Sequence, residues 1–329
     1  MDSLIFALSA IAPIVLMVLM GYFLKRVGMV GESFAKEANR LVFRVFMPVM
    51  LFVNIYKIKS LAGFDFAFIG YVVIALLVVF FLSIPASIMV AGQKNRRGVL
   101  VQAAVRSGYS LIGIPLANSL YGEAGAIAAT LLSAAVIPLF NVLAVVSLTA
   151  IGNDGEGKVS VKKIVLDILK NPLILGIAAA LVCILIRTVF ERFGISFRLS
   201  DLDPLFTVLQ YLAGLAIPLA LLVLGAQFEL SAVAALKKEI IFGTMVRVVV
   251  VPALAIGVAY IFFRDRFTPA HFATFVSVFA TPVAVPSVPM VQEMGGDVVL
   301  AGQLVVWSTL ASALTVFLVT FLLRLGGAF

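Results

Sequence analysis

Apolar residues fall into ten runs, each near the roughly 20 residues that a helix needs to cross a bilayer. They lie at about 4–24, 38–56, 66–91, 99–121, 125–150, 168–190, 205–228, 239–263, 269–292 and 298–323. Short polar, basic stretches separate them. The first run has Asp2 and no Lys or Arg ahead of it, and it is longer than the core of a signal peptide, so it reads as a helix that stays in the membrane. The pattern predicts an all-α polytopic membrane protein with ten transmembrane helices. A Gly-rich, charged stretch from Gly152 to Lys163 divides the runs five and five. The expected organisation is a first five-helix repeat at 1–151, a loop at 152–167 and a second repeat at 168–329. Five helices per half is an odd number, so the second half enters the membrane inverted. Pro48 and Pro218 are 170 residues apart, and Pro115 and Pro286 are 171 apart, as a duplication would leave them.

Two runs are interrupted. Ala280–Asp297, ATPVAVPSVPMVQEMGGD, carries Pro282, Pro286 and Pro289, and Arg106–Gly122, RSGYSLIGIPLANSLYG, carries Pro115. A proline removes a backbone donor and clashes with the preceding turn. In lipid such an interruption is tolerated only against protein or a cavity. Interrupted helices at corresponding places in two halves are the best sequence pointer to a transporter's binding site. Helix breaks are therefore expected at Pro115 and Pro282.

Composition sharpens this. The chain is 63% hydrophobic and 12% charged, with mean hydropathy +1.19. Soluble domains are near 45–50% apolar and about 25% charged. The net charge of +8 resides in loops and not on a phosphate-binding face. Thirteen Lys and Arg fall on one side of the ten-helix layout and seven on the other. That bias places the first set, with the Gly152–Lys163 loop, in the cytoplasm and both termini outside. Cys183, the single cysteine, reads as a buried inert thiol, and His271 is alone.

The chemistry that composition excludes is broad. One histidine and no paired mid-membrane acids leave nothing for a membrane-embedded enzyme, and no metal site or cofactor is expected. No Walker A pattern is present, which argues against an ATP-driven pump. Glu229, Glu293 and Asp297 sit at the ends of runs, so a proton relay through a mid-membrane carboxylate is not supported. A cation site would need broken-helix carbonyls and hydroxyls, with Asn118, Gln292 or Glu293 as side-chain candidates. The coupling ion, H+ or Na+, stays open. Arg106 and Arg247 each lie inside a run. Either they line a cytoplasmic vestibule that gathers anions, or they snorkel or bond helix-end carbonyls. Arg44 reads as snorkelling.

Four stretches carry a family resemblance: NRLVFRVFMPVMLFVN from Asn39, SGYSLIGIPLANSLYG from Ser107, AIPLALLVLGAQFEL from Ala216, and the triple-proline stretch from Ala280. Together they resemble the auxin efflux carrier (PIN-like) family in its bacterial branch, with malonate- and malate-type carriers. The resemblance implies an inverted five-plus-five repeat in which helices 4 and 9 cross at their breaks and substrate binds at the crossing. It implies a scaffold of helices 1, 2, 6 and 7 that joins a homodimer. It further implies a transport domain of helices 3–5 and 8–10 that moves as an elevator, in the inner (plasma) membrane of a bacterium. Plant-type members have asparagine where this chain has Gly108, and a polar residue where it has Val283.

The expected function is secondary transport of a small carboxylate, with a gated anion channel as the alternative. The candidate substrate-binding residues are Arg106, Gly108, Tyr109, Ser110, Gly113, Pro115, Asn118, Thr281, Pro282, Val283, Pro286 and Ser287. Half-helix N-termini supply free N–H groups and partial positive charge for a carboxylate. Gly108 and Gly113 are expected to let the backbone bend and approach closely.

Overall fold

The computed structural model describes residues 2–57, 65–152, 161–194 and 196–328. Among these residues the fold is helical throughout, apart from one isolated β-bridge. In chain order the helices are α1 (Asp2–Arg26), α2 (Glu32–Tyr56), α3 (Phe66–Val90), α4 (Lys94–Val105), α5 (109–120) and α6 (123–151). They continue with α7 (Val161–Lys170), α8 (Pro172–Arg192), α9 (Asp203–Ala226), α10 (Ala232–Phe262), α11 (Pro269–Ala280), α12 (Ser287–Glu293) and α13 (Val298–Leu325). Seven helical stretches are long and apolar enough to cross a membrane, consistent with a polytopic membrane protein. One of them, Tyr109–Ile151, turns at Tyr121 and Gly122 and so holds both α5 and α6. Gly122 has φ +56° and ψ −151°, a region that only glycine occupies readily.

The fourth and ninth apolar runs are each split into two pieces, α4 with α5 and α11 with α12. The ninth breaks over Thr281–Pro286, as its prolines suggested. The fourth does not break at Pro115. Its break is at Arg106–Gly108, and Pro115 lies inside the continuing helix. A π-helical turn, Tyr109–Gly113, ends two residues before Pro115 and widens the backbone where the proline ring would otherwise clash. The same spacing recurs at Val42–Phe46 before Pro48, Val246–Val250 before Pro252, and Val276–Ala280 before Pro282. A widened turn is thus how this chain absorbs several of its intramembrane prolines.

Other expectations change in detail. The loop placed at 152–167 is helical from Val161, while residues 153–160, the centre of the Gly152–Lys163 loop, lie outside the described residues. Asn171 then starts α8, its side chain accepting from the Leu173 N–H, with Pro172 in the first turn. Cys183 is half-buried on α8 rather than enclosed. Arg44 is exposed and pairs with Glu293 at 3.0 Å, across from α2 to the end of α12.

Helices α1, α2, α8 and α9 form one packed group. A Cβ at Gly225 of α9 would lie 1.9 Å from the Val18 carbonyl oxygen of α1, and one at Gly176 of α8 would lie 2.5 Å from that of Pro48 in α2. Small residues let the backbones close up where lipid gives no hydrophobic drive. Elsewhere α3 packs on α11 through rings. His271 stacks on Phe68 with centroids 4.0 Å apart, and Tyr71 and Phe68 meet Phe275 at 5.3 and 5.4 Å. His271 also accepts from the Thr268 N–H, so the lone histidine is a packed helix-start residue.

Candidate functional site

The two breaks meet. Ser107 and Val283 face each other as an antiparallel β-bridge. The Gly108 N–H donates to the Pro282 carbonyl at 2.8 Å, and the Ala284 N–H to the Arg106 carbonyl at 3.1 Å. The Val283 N–H donates to Ser308 Oγ of α13 at 3.0 Å. Unwound backbone inside a membrane protein has to find partners, and each break supplies them to the other.

Four half-helices therefore converge. The C-terminal ends of α4 and α11 point at Arg247, which reaches in from the π-turn of α10 and is fully buried. Its Nε donates to the Thr281 carbonyl at 2.9 Å. Nη1 donates to Ala104 at 3.0 Å and Val105 at 3.5 Å, and Nη2 to Val278 at 2.7 Å and Phe279 at 3.1 Å. Of the sequence-level alternatives for Arg247, bonding helix-end carbonyls is the one observed.

Arg106 sits differently. It is 5% exposed, with Nη1 donating to Met290 Sδ at 2.9 Å and Nη2 to Asn141 Oδ1 at 3.0 Å. A thioether is a weak acceptor and an amide is neutral. Among the described residues neither arginine forms an ion pair. Arg106 lines a cavity of about 40 Å³ against the crossing. That is room for about three waters, at roughly 10–15 Å³ each. The Oγ of Ser107, which also lines it, is buried without a hydrogen-bond partner. The opposite wall is apolar and comes from the α1–α2–α9 group: Ile14, Met50, Leu51 and Ile217.

The cavity gathers seven of the twelve candidate residues: Arg106, Gly108, Tyr109, Ser110, Pro282, Val283 and Pro286. Tyr109 contributes its ring, because its hydroxyl donates to the Ala129 carbonyl of α6. Gly108 has φ −71°, and a Cβ there would make only ordinary contacts, the nearest at 3.6 Å. Its conformation does not demand glycine, and a small side chain would pack against Pro282 and Ile112. Five candidates lie elsewhere. Pro115 and Asn118 are exposed on α5. Gly113 packs the crossing, since a Cβ would lie 2.7 Å from the Ser277 carbonyl oxygen. Thr281 is buried with its hydroxyl on the Ser277 carbonyl. Ser287 is buried at the start of α12, its hydroxyl without a partner and outside the cavity lining. Sequence reasoning missed Ser107, Asn141, Met290 and Ser308. Only Ser107 had a signal, its place between an intramembrane arginine and a glycine.

The N-terminal ends of α5 and α12 flank the same region, as anion-attracting half-helix starts would. The arrangement is apolar on one side, cationic on the other, and has no nucleophile–base pair.

Residues 6–164 match the family model described as membrane transport protein. The match covers just under half of the chain and agrees with the resemblance to auxin efflux carriers. Over 323 residues the chain is 24% identical to an uncharacterized transporter of Methanothermobacter thermautotrophicus, covering 92% of this chain and 94% of that one. Over 256 residues it is 27% identical to an uncharacterized transporter of Methanocaldococcus jannaschii, covering 75% and 77%. Both relatives are archaeal, and neither name carries a substrate. The similarity is to membrane transport proteins and indicates a transporter, not an enzyme.

Proposed function

We propose that this protein is a secondary transporter of a small organic anion, a carboxylate, working by alternating access at the paired helix breaks. One observation carries the reading: a buried arginine with no acidic partner among the described residues, Arg106, faces a cavity where two broken helices meet. A buried cation is costly unless something neutralises it. Here the missing charge is the substrate's. Ser107 Oγ supplies a second donor, and the starts of α5 and α12 add partial positive charge.

A carboxylate larger than about three waters does not fit the cavity as it stands. Access requires the wall made by α1, α2 and α9 to separate from the crossing. In the proposed cycle those helices and α8 are the static scaffold of an inverted ten-helix repeat, paired as a homodimer. The broken helices and their neighbours move past it as an elevator in the plasma membrane, with both termini outside.

The test is uptake of radiolabelled mono- and dicarboxylates by proteoliposomes of the purified protein, with counterflow. Saturable, exchange-accelerated uptake that is lost in Arg106→Met is the expected result. Flux that does not saturate and shows no counterflow would make the protein a channel. Full uptake by Arg106→Met would remove the arginine from recognition.

A further inference from the structure

Five carbonyls from two helix ends converge on one buried point. Ala104 and Val105 close α4, while Val278, Phe279 and Thr281 close α11 and open its break. Each helix C-terminus is equivalent to roughly half a negative charge. Two of them sum to about one, on oxygens that have lost their helical partners. In transporters with interrupted helices, such ends and their unwound carbonyls are where a coupling cation binds. In this chain the point is already filled. All three guanidinium nitrogens of Arg247 donate to the cage, at 2.7 to 3.5 Å, and the residue is fully buried. It arrives from α10, a helix that belongs to neither broken pair.

We propose that Arg247 is a built-in counter-charge: its guanidinium occupies the seat of a coupling cation, holds the two helix ends together, and makes the crossing indifferent to sodium. Arg247 is a positioning residue in this scheme and does not touch the anion. It sets the frame on which Arg106 and Ser107 are presented, because the carbonyls it holds adjoin the bridge that joins the breaks. The proposal rests on the transporter reading for the word coupling; the cage and its charge balance do not depend on it.

Thermal unfolding of the purified full-length protein in detergent tests this without any substrate. Sodium, lithium and choline chloride are compared at equal ionic strength for wild type, Arg247→Ala and Arg247→Lys. The wild type is expected to unfold at the same temperature in all three salts. Arg247→Ala empties the seat and should unfold earlier. Sodium or lithium, titrated against choline, should then restore at least about 3 °C, saturably, as a ligand bound only by the folded state does. Arg247→Lys keeps the charge, should fall between the two, and should ignore sodium. Saturable sodium stabilisation of the wild type or of Arg247→Lys overturns the proposal. So does a folded Arg247→Ala protein that ignores alkali cations. If Arg247→Ala does not fold, the wild type and Arg247→Lys still decide the matter. Failure of anion binding in the uptake test leaves every one of these measurements readable.

Discussion

Two arginines meet at the same crossing, both buried, both without an acidic partner among the described residues, and they live in opposite conditions. Arg247 has all three nitrogens engaged by main-chain carbonyls. Arg106 has two contacts, one to a thioether and one to a neutral amide, with a cavity beside it and the orphaned hydroxyl of Ser107 on the same wall. Burial of a cation is therefore a poor guide to its role. What separates them is saturation. A guanidinium whose donors are spent on the backbone holds structure; in the proposed function, the one whose charge is left unanswered is the one that takes the anion.

The sharpest way to break this contrast is Arg247→Met. It fills the space with an apolar chain and leaves five helix-end carbonyls without donors. Unsatisfied buried groups cost about 1–3 kcal/mol each. The protein should lose stability on that scale, read by denaturant unfolding in detergent. An unchanged midpoint would mean the cage is not holding the crossing.

Arg106→Met should do the reverse. Anion affinity is expected to fall at least tenfold, about 1.4 kcal/mol, in equilibrium binding to the purified protein. Stability should hold or rise, since a poorly compensated buried charge is replaced by an apolar side chain. A large stability loss in this variant would erase the difference between the two arginines.

Smaller effects sharpen the outline. Ser107→Ala should weaken anion binding by about 0.5–1.5 kcal/mol, the worth of one hydrogen bond. It should leave the melting temperature in place, because its hydroxyl has no protein partner to lose. Pro115→Ala should matter least: affinity within about twofold and stability within about 1 kcal/mol. The break lies seven or more residues earlier in the chain, and the π-turn has already relieved the ring clash. A strong binding defect there would move the site toward Pro115.

Much of the architecture was legible in the chain because lipid enforces it. Helices α3, α8, α9 and α13 start and stop within a few residues of the apolar runs, since every backbone polar group in a bilayer must be satisfied within the element. The broken character of the fourth and ninth runs was legible too. The position of the fourth break was not. Proline marks the break at Pro282 but not at Pro115. There a widened turn accepted the ring, and the opening fell at Arg106, Ser107 and Gly108, none of which is a strong breaker alone. Their partner is the ninth-run break, 176 residues away for the Ser107–Val283 pair, and no local pattern reveals such pairing. Asn141 and Met290 were invisible for the same reason. They are ordinary residues on other helices that happen to end beside one guanidinium. For Arg247 the sequence gives only its depth within a run. Its five acceptors are peptide groups, which carry no identity in a sequence at all.

The bridge between Ser107 and Val283 has a consequence for how such a protein diversifies. Both of its hydrogen bonds run between main-chain atoms, Gly108 to Pro282 and Ala284 to Arg106. Replacing the side chains at 107, 108 or 283 rewrites the lining of the cavity while leaving the atoms that hold the crossing untouched. Recognition and framework are thus inherited separately. If the proposed site is right, a change of cargo needs only point substitution at these few positions, with the main-chain bonds of the crossing kept. The same property makes them the natural place to start retargeting the protein by design.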